Sequence, residues 1–270
     1  MEELSFVSCN IHKGLGFGNL RFTLPRIKQA LIAWAPDVVC LQEVQGLQQP
    51  RRQLPASWGW QSQVAYLASD VFPFVAYEPN AWRARSHHGN AILTRLPLQR
   101  CTNVDLSLSR WERRGLLHAV LELPDTGAPL HVISTHLNLQ ARHRKRQLAL
   151  IRAYLEAEVP AGDSIILAGD FNDWRRRAAA GLAADLSEAF VTLHGQPART
   201  FPSFLPMLRL DRVYARNLEA VHAMHHPRHA SAWFSDHAAL AVRLRLPAAT
   251  APVLKRVEQP GQTRGHILLP

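Results

Sequence analysis

Short runs of apolar residues recur along the chain as far as about Pro247. Eight of these runs have the length and the β-branched or mixed apolar content of strands: residues 4–9, 37–41, 90–94, 116–123, 130–135, 164–168, 210–214 and 238–246. Residues 24–35 and 142–155 instead place apolar side chains three and four positions apart, which is typical of amphipathic helices. Pro36 and Pro160 end these two helices.

The order of these elements predicts an α/β fold. A β-α-β unit is followed by mainly antiparallel strands, a second β-α-β unit and further strands. The turn at 124–127, which contains a proline and a glycine, joins two middle strands as a hairpin. A mixed sheet, or two packed sheets with helices outside, fits this order better than a purely parallel arrangement.

The two β-α-β units resemble each other. Asn10 and Glu43 lie 33 positions apart, His136 and Asp170 lie 34 apart, and each pair brackets a helix and an apolar strand. An internal duplication would bring these four polar strand ends to one rim. The ordinary length of a β-α-β unit explains the same spacing without a duplication.

The amino-acid composition and the net charge limit the kinds of protein that this chain can be. Hydrophobic residues make up 47% of the 270 and charged residues 19%, which indicates a globular body with a sizeable core. The net charge of +10, with 27 arginines and 4 lysines, favours an anionic substrate or partner, although genomic base bias also produces arginine-rich chains. Three widely spaced cysteines without a C-x-x-C pair predict buried free thiols and argue against a disulfide framework or a thiolate metal site.

The chain ends add expectations about location and domains. The acidic N-terminus leads directly into a strand pattern, and no window approaches about eighteen uninterrupted apolar residues. Neither a signal peptide nor a transmembrane segment is therefore expected, and a cytoplasmic location follows by default. Residues 1–247 are expected to form one domain, and 248–270 a tail that is flexible or lies over the body.

The strongest candidate site follows the apolar strand at 164–168, which runs directly into Gly169, Asp170 and Asn172. A carboxylate in this position can orient a water molecule, and an amide can hold a phosphoryl oxygen. Asx-turns or a helix cap explain the same two polar residues without any chemistry. The two interpretations stay open on this segment alone.

Glu43 closes another buried strand, and a buried carboxylate is costly unless a cation or a donor meets it. A bound Mg²⁺ would compensate the charge of this carboxylate, and so would an ion pair with one of the many arginines. Asn10 with His12, and His136 with Asn138, mark two further strand ends that each present an amide and an imidazole. A lone histidine in such a place is more commonly a surface residue.

The last candidates lie near the C-terminal end of the predicted domain. Asp211 belongs to a strand, and Asp236 and His237 to a turn that leads into a strand. A buried Asp211 can bond one ring nitrogen of His237 and leave the other nitrogen for chemistry. Asp236 would then face Glu43, although Ser-Asp-His also serves as a plain polar turn.

Taken in order, seven motifs resemble those of the endonuclease/exonuclease/phosphatase superfamily: S-x-N-I-H, L-Q-E-V, G-N-A-I-L-T, S-T-H-L-N, G-D-F-N, R-L-D-R-V-Y and S-D-H. The resemblance runs from about Leu4 to Leu246. N-I-H-K-G near the start and T-F-P-S at 200–203 are similar to a bacterial branch related to deoxyribonuclease I. The resemblance implies a four-layer α/β sandwich, with two packed mixed β-sheets flanked by helices, and dependence on Mg²⁺ or Mn²⁺.

The resemblance also implies a metal-dependent hydrolase that cleaves phosphodiester or phosphomonoester bonds by in-line attack of water. It implies a metal site at Glu43, with Asn10 and Asp236 near it. The catalytic residues that it implies are His136, Asp170, Asn172, Asp211 and His237. Either His237 or Asp170 would take the proton, and the number of metal ions stays open.

The substrate is open as well, because this superfamily cleaves DNA, RNA, phosphoinositides, sphingomyelin and nucleotide-tagged cofactors. The charge slightly favours DNA or RNA, for which residues 107–114 with Trp58, Trp60 and Trp82 offer arginines and stacking aromatics. The apolar run 204–208 favours a phospholipid- or small-molecule-directed phosphodiesterase instead. A scaffold without catalysis is a third hypothesis, and the oligomeric state is not predicted.

Overall fold

The computed structural model describes residues 1–16, 18, 21–48, 62–83, 86–174, 182, 184–225 and 234–247. The predicted tail at 248–270, together with Trp58 and Trp60, lies outside these residues. In chain order the elements are β1 (Glu3–Asn10), α1 (Leu24–Trp34), β2 (Val38–Gln48), α2 (Gln63–Ala68), β3 (Phe74–Arg83), β4 (Ser86–Thr94), β5 (Leu98–Asp105), β6 (Gly115–Glu122), β7 (Pro129–His136), α3 (Ala141–Glu158), β8 (Ser164–Asp170), β9 (Ser187–Glu188), α4 (Ala189–His194), β10 (Asp211–Arg216), β11 (Glu219–His225) and β12 (Leu240–Arg245).

The strands form two sheets of six. The first has the order β11-β12-β1-β2-β4-β3 and the second the order β5-β6-β7-β8-β10-β9. Only β1 with β2 and β7 with β8 run parallel among the described pairs, and the other pairs are antiparallel. These two parallel pairs, joined by α1 and α3, are the two predicted β-α-β units.

Alternating side chains of the strands build the layers. Phe6 on β1 and Ile166 on β8 belong to one apolar cluster that fills the space between the two sheets. Their neighbours point the other way: Val7 packs with residues of α1 and α2, and Ile165 packs with residues of α3. The order helix, sheet, sheet, helix confirms the predicted four-layer sandwich.

All eight predicted strands and both predicted helices are present, with ends shifted by a few residues except in β2, which was predicted to end at Leu41 and continues to Gln48. The prediction missed β3, β5, β9, β11, α2 and α4. Strands β5 and β11 are edge strands whose residues are mostly exposed, so they carry no apolar run that would reveal them. The predicted hairpin turn does join β6 to β7, with Gly127 at a φ of +65°.

Two further findings concern the cysteines and the helices. Cys9 and Cys40 are buried free thiols as predicted, but Cys101 is exposed because it lies on the edge strand β5, so the prediction of burial was wrong there. None of the helices within the described ranges is long and apolar enough to cross a membrane.

Candidate active site

The ends of the two parallel strand pairs bring four predicted site residues to one end of the sandwich. Nδ2 of Asn10, the last residue of β1, donates to Oδ2 of Asp170 over 3.1 Å and lies 3.4 Å from Oε1 of Glu43. Nε2 of His136, the last residue of β7, lies 3.4 Å from the same oxygen of Asp170. Three strand ends and the irregular part of β2 therefore meet at one rim, as the paired β-α-β units predicted. The prediction that Glu43 closes its strand was wrong, because β2 continues past an irregularity at Glu43 to Gln48.

Glu43 interrupts the regular pairing of β2. Its φ is +56°, a left-handed conformation that is unfavourable for a glutamate, and the register with β4 shifts between Leu41 and Val44. Oε2 lies 2.9 Å from the ammonium of Lys13. Burial alone would raise the pKa of Glu43, but at the acidic pH where Glu43 titrates the protonated His136 and Lys13 outweigh burial and hold this pKa well below its ordinary value.

Asp170 depends on the glycine that precedes it. Gly169 has a φ of +143°, and a Cβ atom there would lie 1.9 Å from the carbonyl oxygen of Thr135 on the neighbouring strand β7. Only glycine lets the two backbones approach so closely. This approach sets Asp170 opposite His136 in the register of β7 and β8.

Asn172 is both a turn residue and a neighbour of Asp170. Its backbone N–H donates to Oδ1 of Asp170 over 2.9 Å, which is the Asx-turn that was the plain structural interpretation. Its side-chain Nδ2 donates to the carbonyl oxygen of Leu137 over 2.9 Å, so β8 and the end of β7 are held together. Its φ of +49° is within the range that asparagine tolerates.

The hydrogen bond expected between Asp211 and His237 is present. Oδ2 of Asp211 lies 2.9 Å from Nδ1 of His237, and Nε2 of His237 lies 3.7 Å from Oδ2 of Asp170. Burial lowers the pKa of His237, but Asp211 and then Asp170 outweigh burial and raise this pKa to about 10. Two carboxylates thus hold the imidazole as a cation.

Asp236 pairs with a residue that received no predicted role. Its Oδ2 lies 2.7 Å from Nδ1 of His12, and the hydrogen bond to Asp236 raises the pKa of His12 although burial opposes it. His12 adjoins Lys13, which contacts Glu43. Asp236 was expected to face Glu43; in the structure the two carboxylates contact the consecutive residues His12 and Lys13.

Loop 200–210 is attached to the same rim. The backbone N–H of Ser203 donates to the carbonyl of Asp236 over 2.7 Å, and its hydroxyl donates to the carbonyl of Ser235 over 2.6 Å. The hydroxyl of Ser235 in turn donates to the carbonyl of Asn10 over 2.5 Å. The loop that precedes Asp211 is therefore held in a fixed position beside the site.

A family model described as the Endonuclease/Exonuclease/phosphatase family matches residues 7–237, a span that includes every residue of this rim. The chain belongs to the endonuclease/exonuclease/phosphatase family. The "uncharacterized protein YbhP" of Escherichia coli strain K12 is 39% identical over 249 residues, which are 91% of this chain and 98% of that protein.

Solved structures of the same family share the fold. An endonuclease/exonuclease/phosphatase protein of Beutenbergia cavernae superposes with a TM-score of 0.73 at 24% identity, covering 92% of this chain and 73% of that one. Danio rerio TDP2, solved with a single-strand DNA product, has a TM-score of 0.66 at 21% identity and covers 90% and 99%. The catalytic domain of human Nocturnin, solved with a sulfate anion, has a TM-score of 0.66 at 18% identity and covers 90% and 93%.

The side chains of this family member suit a hard divalent cation. Four carboxylates converge on the rim, those of Glu43, Asp170, Asp211 and Asp236, and oxygen is the donor that Mg²⁺ and Mn²⁺ prefer. The buried Oδ1 of Asp211 has no hydrogen-bond partner among the described residues. A carboxylate oxygen of Asp170 and one of Asp211 also lie within 4.8 Å of each other and of a ring nitrogen of His237, beside the predicted set around Glu43. The donor set therefore fits the metal that the family implies.

Lys13 was not singled out from the sequence, His12 was named only as the imidazole beside Asn10, and Arg114 was named only as part of the substrate segment 107–114. Lys13 and His12 lie inside the N-I-H-K-G motif, whose spacing alone indicates no partner. Arg114 donates from Nε to the carbonyl of Leu137 over 3.1 Å, and after burial it is the next cause that lowers the pKa of His136, to about 4. Its position directly before the buried strand β6 was the one available signal.

Proposed function

We propose that the protein is a metal-dependent phosphodiesterase that hydrolyses its substrate by in-line attack of water at this rim. One observation carries the proposal: Oδ2 of Asp170, a side chain that is 2% exposed, lies 3.1, 3.4 and 3.7 Å from nitrogens of Asn10, His136 and His237. Phosphoryl transfer relies on positioning and on electrostatic stabilisation, which such a cluster provides. Members of the family are in general metal-dependent phosphodiester hydrolases.

Glu43 is the proposed main metal ligand, and Asn10 and Asp236 are proposed to complete the metal site beside it. A bound Mg²⁺ or Mn²⁺ would stabilise the negative charge that develops on the phosphoryl oxygens. Glu43 suits this role because the nearby cations keep it ionised and its backbone conformation turns it out of the regular strand pairing.

Different side chains of the site would donate hydrogen bonds to the phosphate and accept the proton of the attacking water. His237 is held as a cation by Asp211 and Asp170, so it donates a hydrogen bond to phosphate and does not accept a proton near neutral pH. Asp170 is then the acceptor for the proton of the attacking water. His136, whose pKa is lowered to about 4, faces the phosphate as a neutral donor, and Asn172 holds the backbone around Asp170.

Nucleic acid is the substrate that the net charge of +10 favours, because each phosphate of a polyanion gains from nearby arginines. TDP2, which shares the fold, was solved with a single-strand DNA product. A phospholipid is the second candidate, and one observation favours it: Phe204, Leu205, Met207 and Leu208 are between 40% and 57% exposed beside the site.

Four substrates tested side by side with Mg²⁺, with Mn²⁺ and with EDTA would decide among these proposals: bis-p-nitrophenyl phosphate, plasmid DNA, RNA and phospholipid. We expect Glu43→Gln and His237→Ala to lower turnover by about 10²-fold or more, because each removes charge stabilisation in the transition state. Glu219→Gln, which removes a surface carboxylate paired with Arg245, is the matched control and should keep full activity.

Absence of metal-dependent turnover on all four substrates would overturn the proposal. Cleavage that persists unchanged in both site variants would indicate a contaminating enzyme. Cleavage of phospholipid without cleavage of DNA or RNA would select the second candidate.

A further inference from the structure

Exposed apolar side chains concentrate at the end of the sandwich that carries the site. The described residues contain twelve exposed large apolar side chains, and seven of them lie in four loops at that end. We call these loops, at 106–114, 137–140, 171–174 and 196–210, the rim loops. They follow β5, β7 and β8 or precede β10, at the strand ends where His136, Asp170 and Asp211 lie.

The largest group projects from loop 196–210. Phe204 and Leu205 are each 51% exposed, Met207 is 57% exposed and Leu208 is 40% exposed. The backbone N–H of Leu208 donates to the carbonyl of Phe201 over 2.8 Å, and the N–H of Thr200 donates to the carbonyl of Leu208 over the same distance. The apolar tip is therefore preformed, and Ser203 attaches it to Asp236.

Three further exposed apolar side chains lie in the other rim loops, which follow β5, β7 and β8. Trp111 is 83% exposed, Leu139 is 58% exposed and Trp174 is 42% exposed. The loop that carries Trp111 is fixed to the loop of Leu139, because Glu112 accepts hydrogen bonds from the N–H of Leu139 and from the side chain of Asn138. Exposed apolar side chains that gather at one end of a folded domain commonly mark an interaction site.

The exposed charged side chains of the rim loops are basic. Arg110 and Arg199 are exposed, as is Arg142 at the start of α3 beside loop 137–140, and the guanidinium of Arg110 lies 4.6 Å from the ring centroid of Trp111. Glu112 is turned towards Arg114, and Asp173 is 3% exposed. Residues 189–210 contain no Asp or Glu.

We propose that the rim loops dock on an anionic phospholipid bilayer. Aliphatic tips such as Leu205 and Met207 gain free energy by entering the acyl region, tryptophans such as Trp111 favour the interface, and arginines attract anionic headgroups. A nucleic acid would use the arginines and the aromatic rings but would leave the aliphatic side chains in water. This proposal states which surface the protein binds to, so it goes beyond the proposed hydrolysis.

The test is flotation of the full chain with vesicles of phosphatidylcholine, with and without phosphatidylglycerol. We expect binding to the vesicles that contain phosphatidylglycerol, weaker binding to neutral ones, and about tenfold weaker binding for Phe204→Ser/Met207→Ser. Ile32→Ser on α1 is the matched control, because Ile32 is 52% exposed and lies outside the rim loops. Since binding is measured without turnover, its failure and the failure of hydrolysis are separate results.

A second measurement tests the orientation. Quenching of tryptophan fluorescence by brominated phospholipid should decrease in Trp111→Phe, because Trp111 would lie within the interface. The proposal is overturned if the wild type fails to bind vesicles with phosphatidylglycerol, or if the double variant binds them as well as Ile32→Ser does. It is also overturned if the double variant binds a single-stranded oligonucleotide more weakly than the wild type does but binds every vesicle equally well.

Discussion

Asn10 and Asp170 lie in different sheets and 160 positions apart, yet Nδ2 of Asn10 donates to Oδ2 of Asp170 over 3.1 Å. The same Nδ2 lies 3.4 Å from Oε1 of Glu43, and Oδ1 of Asn10 accepts the N–H of His12 over 3.0 Å. One buried amide thus connects the proposed metal ligand with the proposed proton acceptor, and it ties the first sheet to the second.

Replacement of this amide should therefore separate function from stability. We expect Asn10→Ala to lower kcat for bis-p-nitrophenyl phosphate by about 10²- to 10³-fold, because a hydrogen-bond donor that positions Asp170 is lost. Asn10→Asp should also lower the free energy of unfolding of the metal-free protein by about 1–3 kcal/mol, because it adds a third carboxylate between Glu43 and Asp170. Added Mg²⁺ should recover part of that loss, as measured by urea unfolding.

Asn103→Ala is the control, because Asn103 bonds Asn80 at the surface. If kcat of Asn10→Ala stayed within twofold of the wild type, about 0.4 kcal/mol, the positioning role would be disproved.

Lys13 should compete with a metal ion for Glu43, since its ammonium lies 2.9 Å from Oε2. We expect Lys13→Met to tighten Mn²⁺ binding about three- to tenfold in a calorimetric titration, because the carboxylate then has no other cation bonded to it. Without metal, the same variant should be less stable by about 1–3 kcal/mol, because a half-buried carboxylate loses its partner.

Lys28→Met is the matched control for Lys13→Met, because Lys28 pairs with the exposed Asp70 and lies outside the rim. Weaker Mn²⁺ binding by Lys13→Met than by Lys28→Met would show that Lys13 supports the metal site and does not compete with it.

Gly169 should tolerate no side chain. A Cβ atom there would lie 1.9 Å from the carbonyl oxygen of Thr135, and φ is +143°, so we expect Gly169→Ala to cost about 3 kcal/mol or more. Activity should fall in the same variant, because β8 must shift and carry Asp170 away from His136. Gly162→Ala, where a Cβ atom meets nothing within 4 Å, should change the urea midpoint little. Equal midpoints for the two variants would contradict the close approach of β7 and β8.

A buried histidine pair away from the site should make the fold sensitive to acid. Nε2 of His118 lies 2.9 Å from Nδ1 of His131, and Nδ1 of His118 lies 2.9 Å from the hydroxyl of Tyr154. Burial, followed by the charge of His131, lowers the pKa of His118 to about 4. The unfolded chain, with a histidine pKa of about 6.5, then binds the proton more readily than the folded one.

The free energy of unfolding should therefore be highest above about pH 6.5. It should fall by roughly 2 kcal/mol as the pH drops from about 6.5 towards about 4. Urea unfolding at several pH values would measure this slope. His118→Gln should flatten it, whereas His222→Gln, a change at an exposed histidine of β11, should leave it as in the wild type. An unchanged slope in His118→Gln would assign the acid sensitivity to other groups.

The core elements were predictable from the sequence because burial imposes a period on the chain. Strand β8 and helix α3 each bury a defined set of residues, so the apolar pattern revealed both. Strands β5 and β11 escaped prediction since an edge strand needs little burial. Asn10 and Asp170 stood out as candidates because polar residues that end buried strands are locally conspicuous, whereas Glu43 lies at an irregularity inside β2 that the sequence did not predict.

By itself, the sequence determined the strands and helices of the core, the two β-α-β units and the polar residues at their ends. Only the tertiary structure decided that Asn10 bridges two sheets, that Lys13 pairs with Glu43, and that Asp236 meets His12. It also decided that the apolar run at 204–208 points outward beside the site. The reason is physical: periodicity reports local burial, whereas these contacts depend on how two sheets pack and on the register of strands far apart in the chain.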